Sequence, residues 1–173
     1  MSSSLTETAK GIYLTGLRNQ HAVEKQAIEL LERPVGRLEN YPEVEARMRR
    51  HIEESHEQAR RLEDLLSQHD TSHSTAKDTL MSMVGNVAAL GHGTAPDEVV
   101  KNTFANFAFE HYEIASYKSL LTLADLAGHS GGRRALETSL REEQDMAAWI
   151  AEHIDPTVRR YVERLAAGLT AGV

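Results

Sequence analysis

Apolar side chains recur along this chain every three or four residues, which is the period of an α-helix with one buried face. Four such stripes are present, and each is long enough for a helix of about 20–30 residues. The stripes are Leu14, Leu17, Ile28 and Leu31; Met48, Ile52, Ala59, Leu62 and Leu66; Phe107, Ile114, Tyr117 and Leu121; and Leu136, Leu140, Ala147 and Ile150. The pattern predicts an almost entirely helical protein.

Prolines and glycines cluster at a few points, and these points predict the ends of the helices. Pro34 and Gly36 end the first helix, and the sequence Asn-Tyr-Pro-Glu at 40–43 begins the second. The glycine-rich run 128–132 is a tight turn between the third and fourth helices. Residues 70–95 form one long connection that we predict to carry a short helix. Pro156 is predicted to stop the fourth helix, so that a last short helix covers 158–167.

The lengths of the connections predict how the helices are arranged. Short links join antiparallel neighbours, whereas a single long crossover between the second and third helices is the connectivity of ferritin-like bundles. The chain of 173 residues is long enough to bury one core. The sequence therefore predicts an all-α protein, a ferritin-like antiparallel four-helix bundle that forms a single domain over 1–173.

Composition narrows the function classes. The net charge of −7 argues against a nucleic-acid-binding surface, which needs to be basic. The absence of cysteine excludes disulfides, thiolate-bound metals and thiol catalysis. The amino terminus has no apolar signal segment, and no apolar run reaches the length of a membrane span. We therefore expect a cytoplasmic protein without nucleic-acid or membrane partners.

Acidic residues lie near the middle of all four predicted helices. Glu110 and Glu113 stand inside an apolar and aromatic run, where a carboxylate is costly unless it is paired, protonated or bound to a metal. The other acids are Glu24 in the first helix, the Glu-x-x-His sequence of Glu53 and His56 in the second, and Glu142, Glu143 and Asp145 in the fourth. Carboxylates from four helices with an imidazole are typical of dinuclear metal sites. These ligands suit iron or manganese, and zinc can also use them.

Two positions on the fourth helix compete for the role of ligand. Glu143 lies on the apolar stripe, which favours it as a core residue. Glu142 is favoured instead when Glu142-x-x-Asp145 is matched to the Glu-x-x-His spacing of dinuclear proteins. We take Glu142 as the predicted ligand and keep Glu143 as the alternative.

Three segments together resemble the bacterial YciE/YciF stress-response family, which belongs to the ferritin-like superfamily. They are EHYEIASYKSLLTLADLAG at 110–128, AVEKQ at 22–26 and HIEESHEQARRLE at 51–63. The resemblance implies a four-helix bundle with a dinuclear centre, usually of iron, together with a homodimer and a role in stress. The metal ligands that it implies are Glu24, Glu53, His56, Glu110, Glu113 and Glu142.

The chain departs from the family pattern at three places. His21 stands where the family commonly has tyrosine, Ala147 stands where it commonly has an acid, and Asp145 replaces a second imidazole. Two functions follow as alternatives. The first is a protein that binds two divalent ions, of iron, manganese or zinc. It would use them to oxidise Fe(II) or to reduce dioxygen or peroxide. The second is a non-catalytic structural or partner-binding bundle with a vestigial or stabilising metal site.

Overall fold

The computed structural model describes residues 3–69 and 98–172, and every regular element in these ranges is helical. The elements are α1 (Ser3–Val35), α2 (Pro42–Ser67), α3 (Glu98–Ala127), a 3₁₀ turn (Ser130–Gly132) and α4 (Arg133–Ala166). The predicted all-helical class is confirmed. The short helix predicted within 70–95 lies outside the described residues. None of the described helices has the length and apolar character needed to cross a membrane.

The four helices pack as a bundle in which each contacts two neighbours. α1 packs against α2 and α3, and α4 packs against α3 and α2. The pairs α1/α2 and α3/α4 are antiparallel hairpins, as their short links predicted. α2 and α4 also run antiparallel, because Gln58 contacts Glu142 while Arg61, further along α2, contacts Ser139, earlier on α4.

The turn between α3 and α4 requires its glycines. Gly128 has a φ of +74° and ends α3, and the following His129 N–H donates back to the Ala124 carbonyl at 2.9 Å. A Cβ at Gly132 would lie 2.6 Å from Leu65 Cδ2, so no larger residue fits without displacing that side chain. The glycine-rich run therefore allows the two hairpins to approach closely.

The predicted end of the fourth helix at Pro156 is wrong, and so is the separate short helix at 158–167. α4 continues without interruption to Ala166 with Pro156 inside it. A proline inside a helix costs about 3 kcal/mol because it lacks the N–H group and crowds the preceding turn. Thr157 and Tyr161 are buried beyond it, and this packing holds the last turns of the helix against the bundle.

Two large apolar clusters fill the ends of the interior and are separated by a layer of polar side chains, and a third, small cluster of Val23, Ala27 and Phe109 lies between α1 and α3. The cluster near the α3–α4 turn contains Tyr13, Leu17, Leu62, Leu65, Leu66, Tyr117, Leu120, Ala124 and Leu136. The cluster near the α1–α2 turn contains Leu31, Val35, Leu38, Tyr41, Met48, Val99, Met146 and Ile150. We call the buried polar residues between them the polar layer: Gln20, Glu24, His51, Ser55, Gln58, Glu110, Glu113, Ser139 and Glu143.

The carboxyl-terminal residues return to the α1–α2 turn. The Tyr41 hydroxyl donates to the Ala171 carbonyl at 2.5 Å, and Asn40 Nδ2 donates to the Gly172 carbonyl at 3.3 Å. Ala171 is buried by this contact. We call this contact the carboxyl-terminal clasp.

Candidate metal centre

Five ionisable side chains of the polar layer converge from all four helices. Glu24 comes from α1, His51 from α2, Glu110 and Glu113 from α3, and Glu143 from α4. None of them is more than 1% exposed. Carboxylates are almost never buried to this extent unless they are paired or bound, so the group needs a compensating charge.

These side chains form two groups of three that share one member. The imidazole triad consists of His51, Glu110 and Glu143, and the carboxylate triad consists of Glu24, Glu113 and Glu143. Within each triad, one ligand atom from every residue lies within 4.8 Å of the others. Because Glu143 belongs to both triads, the two candidate sites are adjacent.

The imidazole triad carries its own positive charge. His51 Nε2 lies 3.2 Å from Glu110 Oε2 and 3.7 Å from Glu143 Oε2. Burial alone would lower the pKa of His51, but the Glu110 carboxylate and the hydrogen bond to Glu54 raise it to about 9. Burial likewise opposes ionisation of Glu110, yet the charge of His51 holds the pKa of Glu110 below its usual value. An imidazolium and a carboxylate therefore face each other at neutral pH.

The other ring nitrogen of His51 is held from outside the polar layer. His51 Nδ1 lies 3.0 Å from Glu54 Oε2, and the same oxygen accepts a hydrogen bond from Arg47 Nη1 at 3.0 Å. Arg47 is itself buried. This chain fixes the plane of the imidazole and directs Nε2 at Glu110 and Glu143.

The carboxylate triad has hydrogen-bond donors but no cation. Gln20 Nε2 donates to Glu24 Oε1 at 2.9 Å and to Glu113 Oε1 at 3.2 Å, and the Tyr117 hydroxyl donates to Glu24 Oε1 at 2.5 Å. Burial nevertheless raises the pKa of Glu24 to about 7. Burial, followed by repulsion from neighbouring carboxylates, raises the pKa of both Glu113 and Glu143 well above the usual value. Without a cation, burial therefore favours the protonated form of these acids.

Several ligand atoms of the two triads are left without partners, which tests whether a metal ion fits. The buried oxygens without a hydrogen bond to any described residue are Glu24 Oε2, Glu110 Oε2, Glu113 Oε2 and both carboxylate oxygens of Glu143. His51 Nε2 is within ion-pair distance of Glu110 but not aligned for a hydrogen bond. Each unsatisfied buried group costs about 1–3 kcal/mol. Carboxylate oxygens with one imidazole nitrogen are ligands of iron, manganese and zinc, so the residues present fit a metal centre.

The structure brings together three of the six predicted ligands, Glu24, Glu110 and Glu113, but not the other three. Glu53 and His56 are exposed on α2 and lie outside the polar layer. Glu142 is partly buried and forms an ion pair with Arg61, whose Nη1 lies 2.6 Å from Glu142 Oε2.

The signal that identifies His51 and Glu143 is the phase of the apolar stripe. His51 follows Met48 by three residues and precedes Ser55 by four, so it shares their buried face, whereas Glu53 and His56 fall beside it. Glu143 likewise lies on the buried stripe of α4, which was the reason for keeping it as the alternative. The spacing motif alone does not identify the buried face of a helix.

Two residues beside the acids have defined partners. Tyr117 is buried in the apolar cluster and also donates its hydroxyl to Glu24. His21 lies at the α1–α2 interface, where its Nε2 is 2.8 Å from Glu63 Oε1. Ala147, where the family resemblance leads us to expect an acid, is buried one turn from Glu143 and offers no ligand atom.

A family model covers almost the whole of this bundle. The model described as "Domain of unknown function (DUF892)" matches residues 8–163, which include all five residues of the two triads. The chain belongs to this family. The resemblance predicted from the sequence is confirmed, because protein YciF of Escherichia coli (strain K12) is 28% identical over 149 residues, which are 80% of this chain and 85% of YciF.

Solved structures show the same fold. A crystal structure of a protein from Xanthomonas campestris pv. campestris has a TM-score of 0.76 and 30% identity, covering 91% of this chain and 99% of that one. The crystal structure of the E. coli stress protein YciF has a TM-score of 0.75 and 21% identity, covering 87% and 97%. YcfI of Rhodopseudomonas palustris has a TM-score of 0.73 and 23% identity, covering 87% and 98%. The helical bundle is therefore shared with YciF.

Proposed function

We propose that this YciF relative is a single-domain, ferritin-like protein whose polar layer binds two divalent metal ions, with iron as the first candidate. The observation that carries the proposal is the pair of buried triads that share Glu143, with unpaired oxygens in both. A cation would replace the Nε2 proton of His51 in one triad and the protons that burial favours on the carboxylates of the other. The antiparallel hairpins and the long connection between α2 and α3 support the ferritin-like arrangement.

The proposed ligands are His51, Glu110 and Glu143 for one ion and Glu24, Glu113 and Glu143 for the other. The ligand roles that the family resemblance implies for Glu53, His56 and Glu142 stay predictions. Because those three side chains lie outside the polar layer, the two ligand sets are separable by mutation.

The surrounding residues prepare the triads for binding. His51 must lose its Nε2 proton before that nitrogen can bind a cation, while Glu54 and Arg47 keep the ring in place through Nδ1. Gln20 and Tyr117 orient Glu24, and the two flanking apolar clusters exclude bulk water. Bound iron would supply one-electron chemistry with dioxygen or peroxide, as in the oxidation of Fe(II).

A second candidate is a non-catalytic bundle that binds a partner, with a metal site that only stabilises the fold. One observation favours it: the centre has a single imidazole, and Ala147 offers no ligand where the family resemblance leads us to expect an acid. In both cases we propose a cytoplasmic homodimer that acts in a stress response. The description of the E. coli relative as a stress protein supports this role.

Metal analysis of protein purified without chelator and reloaded with Fe(II) tests the proposal. We expect two ions per chain in the wild type, fewer in His51→Ala, and no loss in the matched α2 variant His56→Ala. Less than one ion per chain in the wild type, or an equal loss in both variants, would contradict the proposed centre. Bound iron without any spectral change on exposure to dioxygen or peroxide would favour the structural candidate.

A further inference from the structure

A surface cleft of about 340 Å³ lies between the start of α2 and the last turns of α4. Its walls include Tyr41 and Val44 from one side and His153, Thr157 and Arg160 from the other. The cleft is on the side of the bundle where the carboxyl-terminal clasp lies. It is wide enough to admit small solutes from solvent.

A smaller cavity of about 20 Å³ lies further in, between α2, α3 and α4. Val44, His153 and Thr157 line both spaces, so the cavity and the surface cleft adjoin. A cavity of this size holds about one water-sized molecule. The two spaces therefore lie side by side, with the surface cleft open to solvent and the cavity nearer the core of the bundle.

The inner cavity points at the imidazole triad. Its lining residues Met48, Asn106 and Met146 are each three or four residues from a triad member: Met48 from His51, Asn106 from Glu110 and Met146 from Glu143. Residues at this spacing lie on the same face of a helix, one turn apart. Each lining residue lies towards the same end of the bundle as seen from its triad member. Met48 and Asn106 precede theirs on the parallel helices α2 and α3, and Met146 follows its own on α4, which is antiparallel to both. The cavity is thus one helical turn from the triad.

We propose that the inner cavity binds a small apolar molecule, dioxygen above all, and delivers it to the imidazole triad. This inference rests on the proposed metal centre for its destination. It adds a binding site for dioxygen and a direction of entry. Dioxygen would first reach the half of the centre that contains His51.

The chemistry of the walls selects an apolar guest. Val44, Met48, Met146, Trp149 and Ile150 supply most of the lining. A hydrated cation or a hydrogen peroxide molecule would lose hydrogen bonds that these side chains cannot replace. Apolar cavities of this kind stay dry and accept apolar guests.

Two of the polar groups in the lining are already occupied. Thr103 Oγ1 donates to the Val99 carbonyl at 2.9 Å, and His153 Nδ1 donates to the Trp149 carbonyl at 2.7 Å. The His153 ring also stacks on Trp149, with centroids 3.7 Å apart and an angle of 16° between the planes. The Thr103 hydroxyl and His153 Nδ1 therefore offer little to a polar guest.

The test uses metal-free protein with ¹³C-labelled methionine and leucine methyl groups under dissolved dioxygen. Dioxygen is paramagnetic and speeds the relaxation of methyl groups that it approaches. We expect enhancement at Met48 and Met146 several-fold larger than at Leu62, which is fully buried in the other apolar cluster. Enhancement at the two methionines no larger than at Leu62 would overturn the inference.

Substitution at the junction provides the matched comparison. Val44→Phe fills the space between cleft and cavity and is expected to remove most of the enhancement. Val162→Phe, the same change at an exposed position of α4, should leave it intact. Equal enhancement in the two variants would overturn the inference. Val44→Ala covers the case in which Val44→Phe does not fold: it should increase the enhancement, and no increase would again count against the proposal.

Iron-loaded protein then separates this inference from the proposed function. With equal iron content, Val44→Phe should slow oxidation by dioxygen several-fold more than oxidation by hydrogen peroxide. Equal slowing of both would overturn the selection of an apolar guest. Failure to bind iron would refute the proposed function while the relaxation data still decide whether the cavity admits dioxygen.

Discussion

The two triads contain similar buried chemistry but are neutralised in different ways. The imidazole triad holds an internal ion pair, in which His51 compensates Glu110. The carboxylate triad has only the neutral donors Gln20 and Tyr117, so burial favours the protonated form of its acids. Burial alone therefore does not define a metal ligand. The charges that each triad holds in the absence of metal decide how favourable the binding of a cation is there.

The largest expected effect is at the residue that both triads share. Glu143→Gln should reduce iron from two ions per chain to fewer than one, because each site loses a charged ligand. Glu142→Gln, one residue away, should retain two ions, since it breaks only the partly exposed pair with Arg61. Metal analysis of the two variants checks this. Loss of a single ion in Glu143→Gln would mean that only one of the two sites depends on Glu143.

The stability of metal-free protein should depend strongly on His51, because this residue supplies the cation of the internal ion pair. His51→Ala leaves Glu110 buried without its cation, and breaking a buried pair in this way costs about 3–5 kcal/mol. We expect a loss near the lower limit, because Glu110 can take up a proton. Urea unfolding with chelator present measures it. His56→Ala is the exposed control, and an equal loss there would remove the distinction between the two histidines.

Both triads should make metal-free protein less stable as the pH rises from 6 to 9. The pKa of Glu24 is raised in the folded state to about 7, so its cost to stability develops as the pH rises from its unfolded pKa to about 7 and is complete above that pH. The pKa of His51 is raised to about 9, so its contribution is complete below its unfolded value and is lost through pH 9. Both groups therefore lower the stability of the folded protein as the pH rises. Urea unfolding at several pH values checks the slope, and a rise in stability across this window would refute the assignment.

Metal should reverse that dependence. Cations bind the deprotonated ligands, so the stabilisation by added metal should grow over the same pH range. Thermal unfolding with and without Mn²⁺, which does not oxidise readily, measures the difference. A stabilisation that is independent of pH would indicate binding outside the polar layer.

The smallest expected effect is at the hydrogen bond from Tyr117 to Glu24. Tyr117→Phe should cost about 1 kcal/mol of metal-free stability, the usual net contribution of one buried hydrogen bond. Tyr13→Phe is the matched control, because the buried Tyr13 hydroxyl has no hydrogen-bond partner among the described residues. Similar losses in both variants would show that the hydrogen bond from Tyr117 to Glu24 adds nothing beyond the presence of a buried hydroxyl.

Sequence periodicity predicted the helices well, because a buried stripe and its breakers are local features. It also predicted that Glu110 and Glu113 lie in the core. Pro156 was misread, because the packing of Thr157 and Tyr161 against the bundle is a long-range effect that no local rule contains. The position of His56 outside the polar layer has a different cause: a three-residue spacing specifies a helix face, but only the phase against the apolar stripe specifies which face is buried.

The network around His51 was beyond prediction for a physical reason. Arg47, Glu54 and His51 lie on one helix, yet the charge of His51 depends on Glu110 from α3. Its environment therefore exists only after the two hairpins have packed together.

The carboxyl-terminal clasp has a consequence for the order of folding. Tyr41 and Ala171 are 130 residues apart along the chain, whereas each hairpin forms from neighbouring segments. Closing so long a loop costs more entropy than forming a hairpin, so the clasp should join late, after the main barrier to folding. Contacts that form after that barrier slow unfolding and leave the folding rate almost unchanged. The last few residues should therefore govern how long the folded bundle survives, rather than how fast it forms.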